Sequence, residues 1–347
     1  MNSRESAGWP ASLLPELAGS EIVVTAPGDG PGYWAGGPSA VLTGEWIYLA
    51  YRLRRPVGSG RGYAVAVARS ADGVRFETVA TIRREAMHAE SLERPCLVRT
   101  PAGRWRLYLS CATPGTKHWR VEMLEASDPA RFDVRERLVV LPGDAKIGVK
   151  DPVIRHRDGG WHLWASCHPL ADPGEADQMT TEYATSADGL DWIWHGTALS
   201  GRSGLWDARG TRVSAVCYAD DAAGAMIAAF YDGRATAAEN FEERTGIATG
   251  TEPAALAAVG AAAAAESPYA GRGLRYLEVL PLGDGRHRLY YEMTRPEAPT
   301  SCGPSSVRDK PTGHGPALSV ARRPLASRPE HDGRPGAPAH GRRYRTR

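Results

Sequence analysis

The sequence has no apolar run long enough to cross a bilayer: its longest, around residues 254–265, is alanine-rich and interrupted by Gly260. A membrane partner is therefore not expected. Residues 1–19 have neither the basic n-region nor the apolar h-region of a secretory signal, so a cytoplasmic location is the expectation. Cysteine is sparse and odd in number, at five, with no Cys-x-x-Cys spacing. Cys96, Cys111, Cys167 and Cys217 fall inside apolar strand-like runs and read as reduced core residues, not as a disulfide framework or a metal site. Neither a metal nor a cofactor is expected. Charge of one sign is also lacking, because 42 Lys and Arg against 40 Asp and Glu leave only +2. That is too little to suggest a nucleic-acid partner, and the positive excess lies after Arg295, where acidic residues are few.

What is present is a repeat. A strand near a proline recurs as Gly37-Pro38-Ser39-Ala40-Val41, Arg94-Pro95-Cys96-Leu97-Val98 and Asp151-Pro152-Val153-Ile154. A polar turn follows each, then a strand led by tryptophan: Trp46-Ile47-Tyr48-Leu49-Ala50, Trp105-Arg106-Leu107-Tyr108-Leu109 and Trp161-His162-Leu163-Trp164-Ala165. Third strands recur at Tyr63–Ala68, Arg120–Leu124 and Thr181–Ala184, and two of them enter a shared turn, Ser70-Ala71-Asp72-Gly73 and Ser186-Ala187-Asp188-Gly189. Asp-Gly supplies the positive φ that a tight hairpin needs. A period of about 57 residues, the spacing of Pro38, Pro95 and Pro152, with several strands per unit predicts an all-β, five-bladed β-propeller.

The expected organisation is an extension over 1–19, a propeller over 20–295 and a low-complexity basic tail over 296–347. The blades fall at about 31–84, 85–141, 142–200, 201–265 and 266–295, with strand 21–25 closing the last. The alanine-rich stretch from Glu252 to Ser267 is expected to form a short helix between blades four and five. Being rich in Pro, Gly, Arg, Ala and Ser, the tail is expected to be disordered and outside the fold.

First strands that start at Asp-Pro, tryptophan-led second strands and Ser-x-Asp-Gly turns together resemble the five-bladed glycoside hydrolases of families 43, 32, 62 and 130. The resemblance covers about residues 20–295. It implies a central funnel in which the first residues of the innermost strands meet a carbohydrate, here at Gly37, Arg94, Asp151, Arg212 and Tyr276. Glu93, Asp151 and Asp207 are then the candidate catalytic carboxylates. Lys150, Arg94, Arg209 and Arg212 are candidate substrate-binding cations, and Trp34, Trp206 and Tyr276 are candidate sugar platforms. Glycosidic cleavage needs one carboxyl group to protonate the leaving oxygen and another to activate water or attack. Where the family usually supplies a base aspartate from blade one, this chain has Gly37. The implied function is cleavage of a glycosidic bond in a small carbohydrate or glycoside. The alternatives are a phosphorylase or other enzyme handling an anionic substrate, a binding propeller without catalysis, or a biosynthetic enzyme reusing the funnel.

Overall fold

A computed structural model describes residues 9–172, 174–221, 224–283, 285–294 and 317–323. Among them, antiparallel strands form five four-stranded sheets. The first holds β2 (Trp34–Thr43), β3 (Trp46–Arg54), β4 (Gly62–Ser70) and β5 (Glu77–Arg83). The second holds β6 (Leu92–Arg99), β7 (Trp105–Ala112), β8 (Trp119–Ala126) and β9 (Leu138–Leu141). β10 (Ile147–Arg157), β11 (Gly160–Pro169), β12 (Thr180–Ser186) and β13 (Ile193–Leu199) make the third. The fourth contains β14 (Thr211–Asp221), β15 (Gly224–Gly233), β16 (Arg244–Glu252) and β17 (Ala255–Val259). In the fifth, β18 (Leu274–Gly283) and β19 (Arg286–Met293) are followed by β20 (Ala317–Arg323) and then β1 (Glu21–Val24). The five leading strands touch in a closed ring, β2 to β6 to β10 to β14 to β18 and back to β2, which makes the architecture a β-propeller.

Apolar side chains pack chiefly between neighbouring blades. Cys96, Tyr108 and Val121 of the second sheet meet Ile154, Leu163 and Ala165 of the third, all buried. Each large side chain so buried contributes about 1.5–3 kcal/mol. Outer strands carry little of this load, and Ile193 on β13 stands exposed.

The Ser-x-Asp-Gly turn does more than reverse the chain. Ser70 Oγ accepts the Gly73 amide at 2.8 Å, and Asp72 Oδ1 accepts those of Val74 and Arg75 at 2.9 Å; Ser186 and Asp188 repeat the pattern at Gly189, Leu190 and Asp191. The carbonyl of each turn glycine is then held by a tyrosine hydroxyl from the preceding blade, Tyr290 on Gly73 at 3.0 Å and Tyr108 on Gly189 at 2.9 Å. Arg288 and Arg106, two residues before those tyrosines, donate to the carbonyls of Asp72 and Asp188. Arg-Leu-Tyr on a second strand is thus a clamp for the next blade's turn.

Two expectations are corrected and one is extended. Strand β20 comes from within the expected tail, pairing with β19 on one side and β1 on the other, with Leu318 fully buried. The strand-like run Ala317-Leu318-Ser319-Val320-Ala321 is masked by the composition of the long segment around it. Most of that segment, with Cys302, lies outside the described residues. The stretch expected to be helical instead supplies β17, which pairs with β16 from Ile247↔Val259 to Glu252↔Ala255. An unpaired β16 edge overrides the helical preference of alanine. Finally, the N-terminal extension reaches the core: after α1 (Trp9–Ser12), Leu13 is buried against Phe230, Ile247 and Leu274.

Candidate functional site

Every innermost strand is interrupted near its start. The register slips between Gly36 and Ser39 on β2, Leu92 and Pro95 on β6, and Lys150 and Val153 on β10. It slips again between Val213 and Ala215 on β14, and between Arg275 and Glu278 on β18. Such bulges bend a strand and re-aim its side chains. Gly37, Asp151 and Tyr276 each lead a bulge with left-handed backbone, at φ 62°, 52° and 52°. Holding that conformation without glycine costs energy, and such positions cluster at functional sites.

The bulge on β6 contains Glu93 and Arg94, so Glu93, not Arg94, is the counterpart of Gly37, Asp151 and Tyr276. Pro38 and Pro152 lie inside their bulges, whereas Pro95 already pairs with Leu109. Proline has no amide to offer the ladder and is tolerated at either place, so it does not mark the register.

The bulged ends open into a cavity of about 570 Å³ lined by nine Arg and Lys side chains and four carboxylates. Of the expected site residues, Glu93, Lys150, Arg212 and Tyr276 line it. Asp151 is wholly buried at its base. Its Oδ2 lies 3.6 Å from both Lys150 Nζ and Arg212 Nη1 and 3.5 Å from the Tyr276 hydroxyl, while its Oδ1 has no hydrogen-bond partner. Tyr276 also accepts from Arg52 Nη1 at 3.1 Å, and the Arg212 guanidinium covers its ring at 3.9 Å.

Other expected residues are not brought to the cavity wall. Arg94 is buried and donates to the carbonyls of Pro38 and Ser214 and to Glu278 at 3.0 Å. Asp207 is enclosed by Arg202 at 2.8 Å and the Tyr231 hydroxyl at 2.7 Å, with Trp206 stacked on Tyr231. Arg209 is held by Asp177 and Glu175. Trp34 is buried with the Arg54 guanidinium 4.2 Å from its ring centre.

Blade one has no room for the absent carboxylate. A side chain at Gly37 would meet Arg94 Cβ at 3.2 Å, and one at Gly36 would overlap Glu292 Oε1 at 2.1 Å. Glu292 from β19 fills that space instead, 2.9 Å from both Arg52 and Arg275.

The floor is a continuous ionic network. Glu93 accepts from Arg52 and, at 2.7 Å, from Arg54; Glu243 joins Arg275 at 2.5 Å to Arg234 at 2.9 Å. Cross-strand pairs recur in successive blades, Arg212 with Asp232 and Arg275 with Glu292. Burial alone would raise the Glu93 carboxyl, but Arg52 and Arg54 hold it well below the usual range, and Arg275 and Arg212 do the same for Glu243. Asp151 is likewise lowered, because Lys150 and Arg212 outweigh its burial. Only for Asp232 does burial prevail over Arg212, lifting it to about 6. Burial and then Lys150 push His168 down to about 3; its Nδ1 donates to the Ala176 carbonyl at 2.9 Å and its Nε2 has no partner. At the wall Glu93 and Glu243 are therefore held ionised and the His168 imidazole neutral.

Sequence reasoning missed Arg52, Arg54, His168, Glu243, Arg275 and the rim residue Phe241. A signal existed for the first two, since Arg52 and Arg54 alternate at the end of an otherwise apolar strand, and Glu292 likewise closes the run Leu289-Tyr290-Tyr291. Nothing in the sequence around Phe241 and Glu243, in the segment between β15 and β16, signals that it reaches the funnel. Among the described residues, no group of His, Cys, Asp and Glu is placed to hold a metal, and no helix is long and apolar enough to cross a membrane.

No protein-family model matches the chain, and no curated protein matches it. Solved structures do. A thermostable family-43 glycoside hydrolase aligns with TM-score 0.59 at 13% identity over 91% of this chain and 100% of its own. A structure from the GH130 family, described as mannoside phosphorylases containing hydrolases that target β-1,2 mannosidic linkages in Candida mannan, aligns with TM-score 0.57 at 14% identity over 90% and 99%. An N-acetylgalactosamine deacetylase from F. plautii, in complex with blood group B trisaccharide, aligns with TM-score 0.58 at 14% identity over 89% and 94%. At these identities the likeness shows the propeller fold, which hosts more than one reaction.

Proposed function

We propose that the protein is a carbohydrate-active enzyme that cleaves a glycosidic bond in the funnel, with Asp151 as its acid–base carboxylate. The observation that carries this reading is Asp151 itself. It is buried at the bulge of β10, strained to φ 52°, ionised by Lys150 and Arg212, and left with Oδ1 unpartnered. A carboxylate so held is preorganised to orient a sugar hydroxyl or to take and return a proton. Tyr276 stays protonated, because burial and then the nearby Asp151 and Glu93 outweigh Arg212 and Arg52, so the proton that ionised Asp151 takes from the attacking water can pass through its hydroxyl to the leaving glycosidic oxygen. Glu93, held ionised on the cavity wall by two guanidiniums, supplies fixed negative charge that favours positive charge developing on a bound sugar. The cationic lining suits a small polar substrate, and the likeness to glycosidase propellers supports a carbohydrate.

One observation favours a second reading, phosphorolysis. Nine cations face four carboxylates in the cavity, and blade one contributes no carboxyl group. Phosphate as the nucleophile would need a single protein carboxyl.

A panel of aryl glycosides, assayed with and without inorganic phosphate, tests both. Release of aglycone that is lost in Asp151→Asn supports cleavage, and acceleration by phosphate selects phosphorolysis. Absence of turnover across the panel, with wild-type and variant alike, would refute the enzymatic reading.

A further inference from the structure

Once the carboxylates behind the cavity wall, Glu292, Asp232 and Asp151, are counted with those that line it, the charges on the funnel floor nearly cancel. Arg52 and Arg54 are met by Glu93 and Glu292, Arg212 and Lys150 by Asp232 and Asp151, and Arg234 and Arg275 by Asp177 and Glu243. Arg61 lines the same cavity half-buried and has no acidic partner among the described residues. It is the surplus cation of the floor: at the rim Arg84 pairs with Glu85, and the exposed Lys117 is offset by the exposed Glu90.

The unmet hydrogen-bonding groups fall on two sides. Arg52 Nε, Arg54 Nε, Arg234 Nε and Arg275 Nη2, from blades one, four and five, are buried donors without partners. His168 Nε2 and Asp151 Oδ1, both from blade three, are buried acceptors without partners. Buried polar atoms left unpaired are costly, and a group that satisfies them binds well. Arg54 is moreover fixed between two aromatic rings, Trp34 at 4.2 Å and Phe241 at 5.4 Å, so little freedom remains to be lost on binding. Burial, with the neighbouring Arg52, Arg61 and Arg275, brings Arg54 down to about 10 despite Glu93.

We propose that the funnel is built for a sugar that carries its own carboxylate, a glycoside of the uronic-acid class, with that carboxylate seated on Arg54 and Arg61 and a ring hydroxyl donated to His168. This rests on the carbohydrate reading above. A single surplus cation matches a monoanion, whereas a phosphate dianion would leave one negative charge buried and uncompensated. Guanidinium forks suit the planar carboxylate geometry, and a neutral sugar would leave the donor side unpaired. The donor and acceptor sides share one cavity of about 570 Å³, larger than an inorganic ion fills.

Binding to the full chain is measured by calorimetry and by melting temperature with glucuronate, galacturonate, glucose, galactose and inorganic phosphate. The uronates should bind at least about tenfold tighter than their neutral counterparts, the scale of one charge-assisted hydrogen bond. Arg61→Gln should erase that preference while keeping the fold, since Arg61 makes no ion pair among the described residues. His168→Gln should weaken uronates and neutral sugars alike. Equal binding of acidic and neutral sugars, or Arg61-dependent binding of phosphate with none of uronate, overturns the proposal. Aryl glucuronides assayed beside aryl glucosides separate the two claims. Turnover of glucosides alone removes the uronate inference and keeps the cleavage reading. Uronate binding without turnover of any glycoside removes the cleavage reading and leaves the binding inference standing.

Discussion

Replacing Glu93 by glutamine tests whether the funnel floor is held by charge or only by shape. Glu93 is 3% exposed and accepts from two guanidiniums, Arg52 and Arg54, that are 1% and 4% exposed. In Glu93→Gln, Arg52 retains Glu292, but Arg54 loses its acidic partner and stays enclosed by Trp34 and Phe241. Leaving one member of a buried pair uncompensated costs about 3–5 kcal/mol. Glutamine keeps one acceptor oxygen, so a loss of about 3 kcal/mol in urea unfolding is expected, or roughly 4 °C in Tm for a chain of this size. Removing both charges, as Glu93→Gln with Arg54→Gln, should restore at least about 1 kcal/mol relative to the sum of the single losses, because the stranded cation is gone. The pH dependence has a definite sign. The folded carboxyl lies below the ordinary glutamate value, so its stabilisation is complete above about pH 4.3 and is lost as the pH falls further. The acid limb of the wild-type stability curve should therefore be steeper than that of Glu93→Gln. A loss below about 1 kcal/mol, or additive single variants, would show that the network contributes shape alone and would refute the argument.

Four further outcomes are expected. Asp151→Asn, with asparagine tolerant of the left-handed backbone at 151, should reduce turnover of any substrate found by at least about a hundredfold while circular dichroism stays native. His168 is kept neutral in the folded protein at about 3 while unfolded histidine titrates near 6.5, so stability should fall by about 1.4 kcal/mol per pH unit between those values on acidification; His168→Gln, followed by urea titration at several pH values, should remove that slope. Gly36→Ala places a methyl 2.1 Å from Glu292 Oε1, which Arg52 and Arg275 pin in place, and should cost about 1–3 kcal/mol in urea unfolding. Truncation after Thr294 removes β20, frees the edge of β19 and detaches β1, so the shortened chain should lose at least about 10 °C in Tm or fail to stay soluble; an unchanged Tm would show that β20 is dispensable.

How far the sequence could be read depends on which feature carries the information. A propeller repeats its hydrophobic alternation and its Asp-Gly turns within each blade, so Trp105, Trp161, Gly73 and Gly189 announce themselves without knowledge of any partner strand. The closing strand β1 was legible for the same reason, while β20 was not, because seven residues of alternation are lost in a long segment of arginine, proline and glycine. The site obeys a different rule. Its residues are defined by register, and a slip of one position exchanges the face to which a side chain points. Glu93 and Arg94 are adjacent, yet one reaches the cavity to bind Arg52 and Arg54 while the other turns to the Ser214 carbonyl and Glu278. The proline that seemed to align the blades lies within the bulge at Pro38 and Pro152 but past it at Pro95, so no count from the proline could have chosen between the two. Charge placement within a strand was the better guide. Arg52 and Glu292, set at the ends of apolar runs where an exposed strand has no need of them, join blades one and five beneath the funnel.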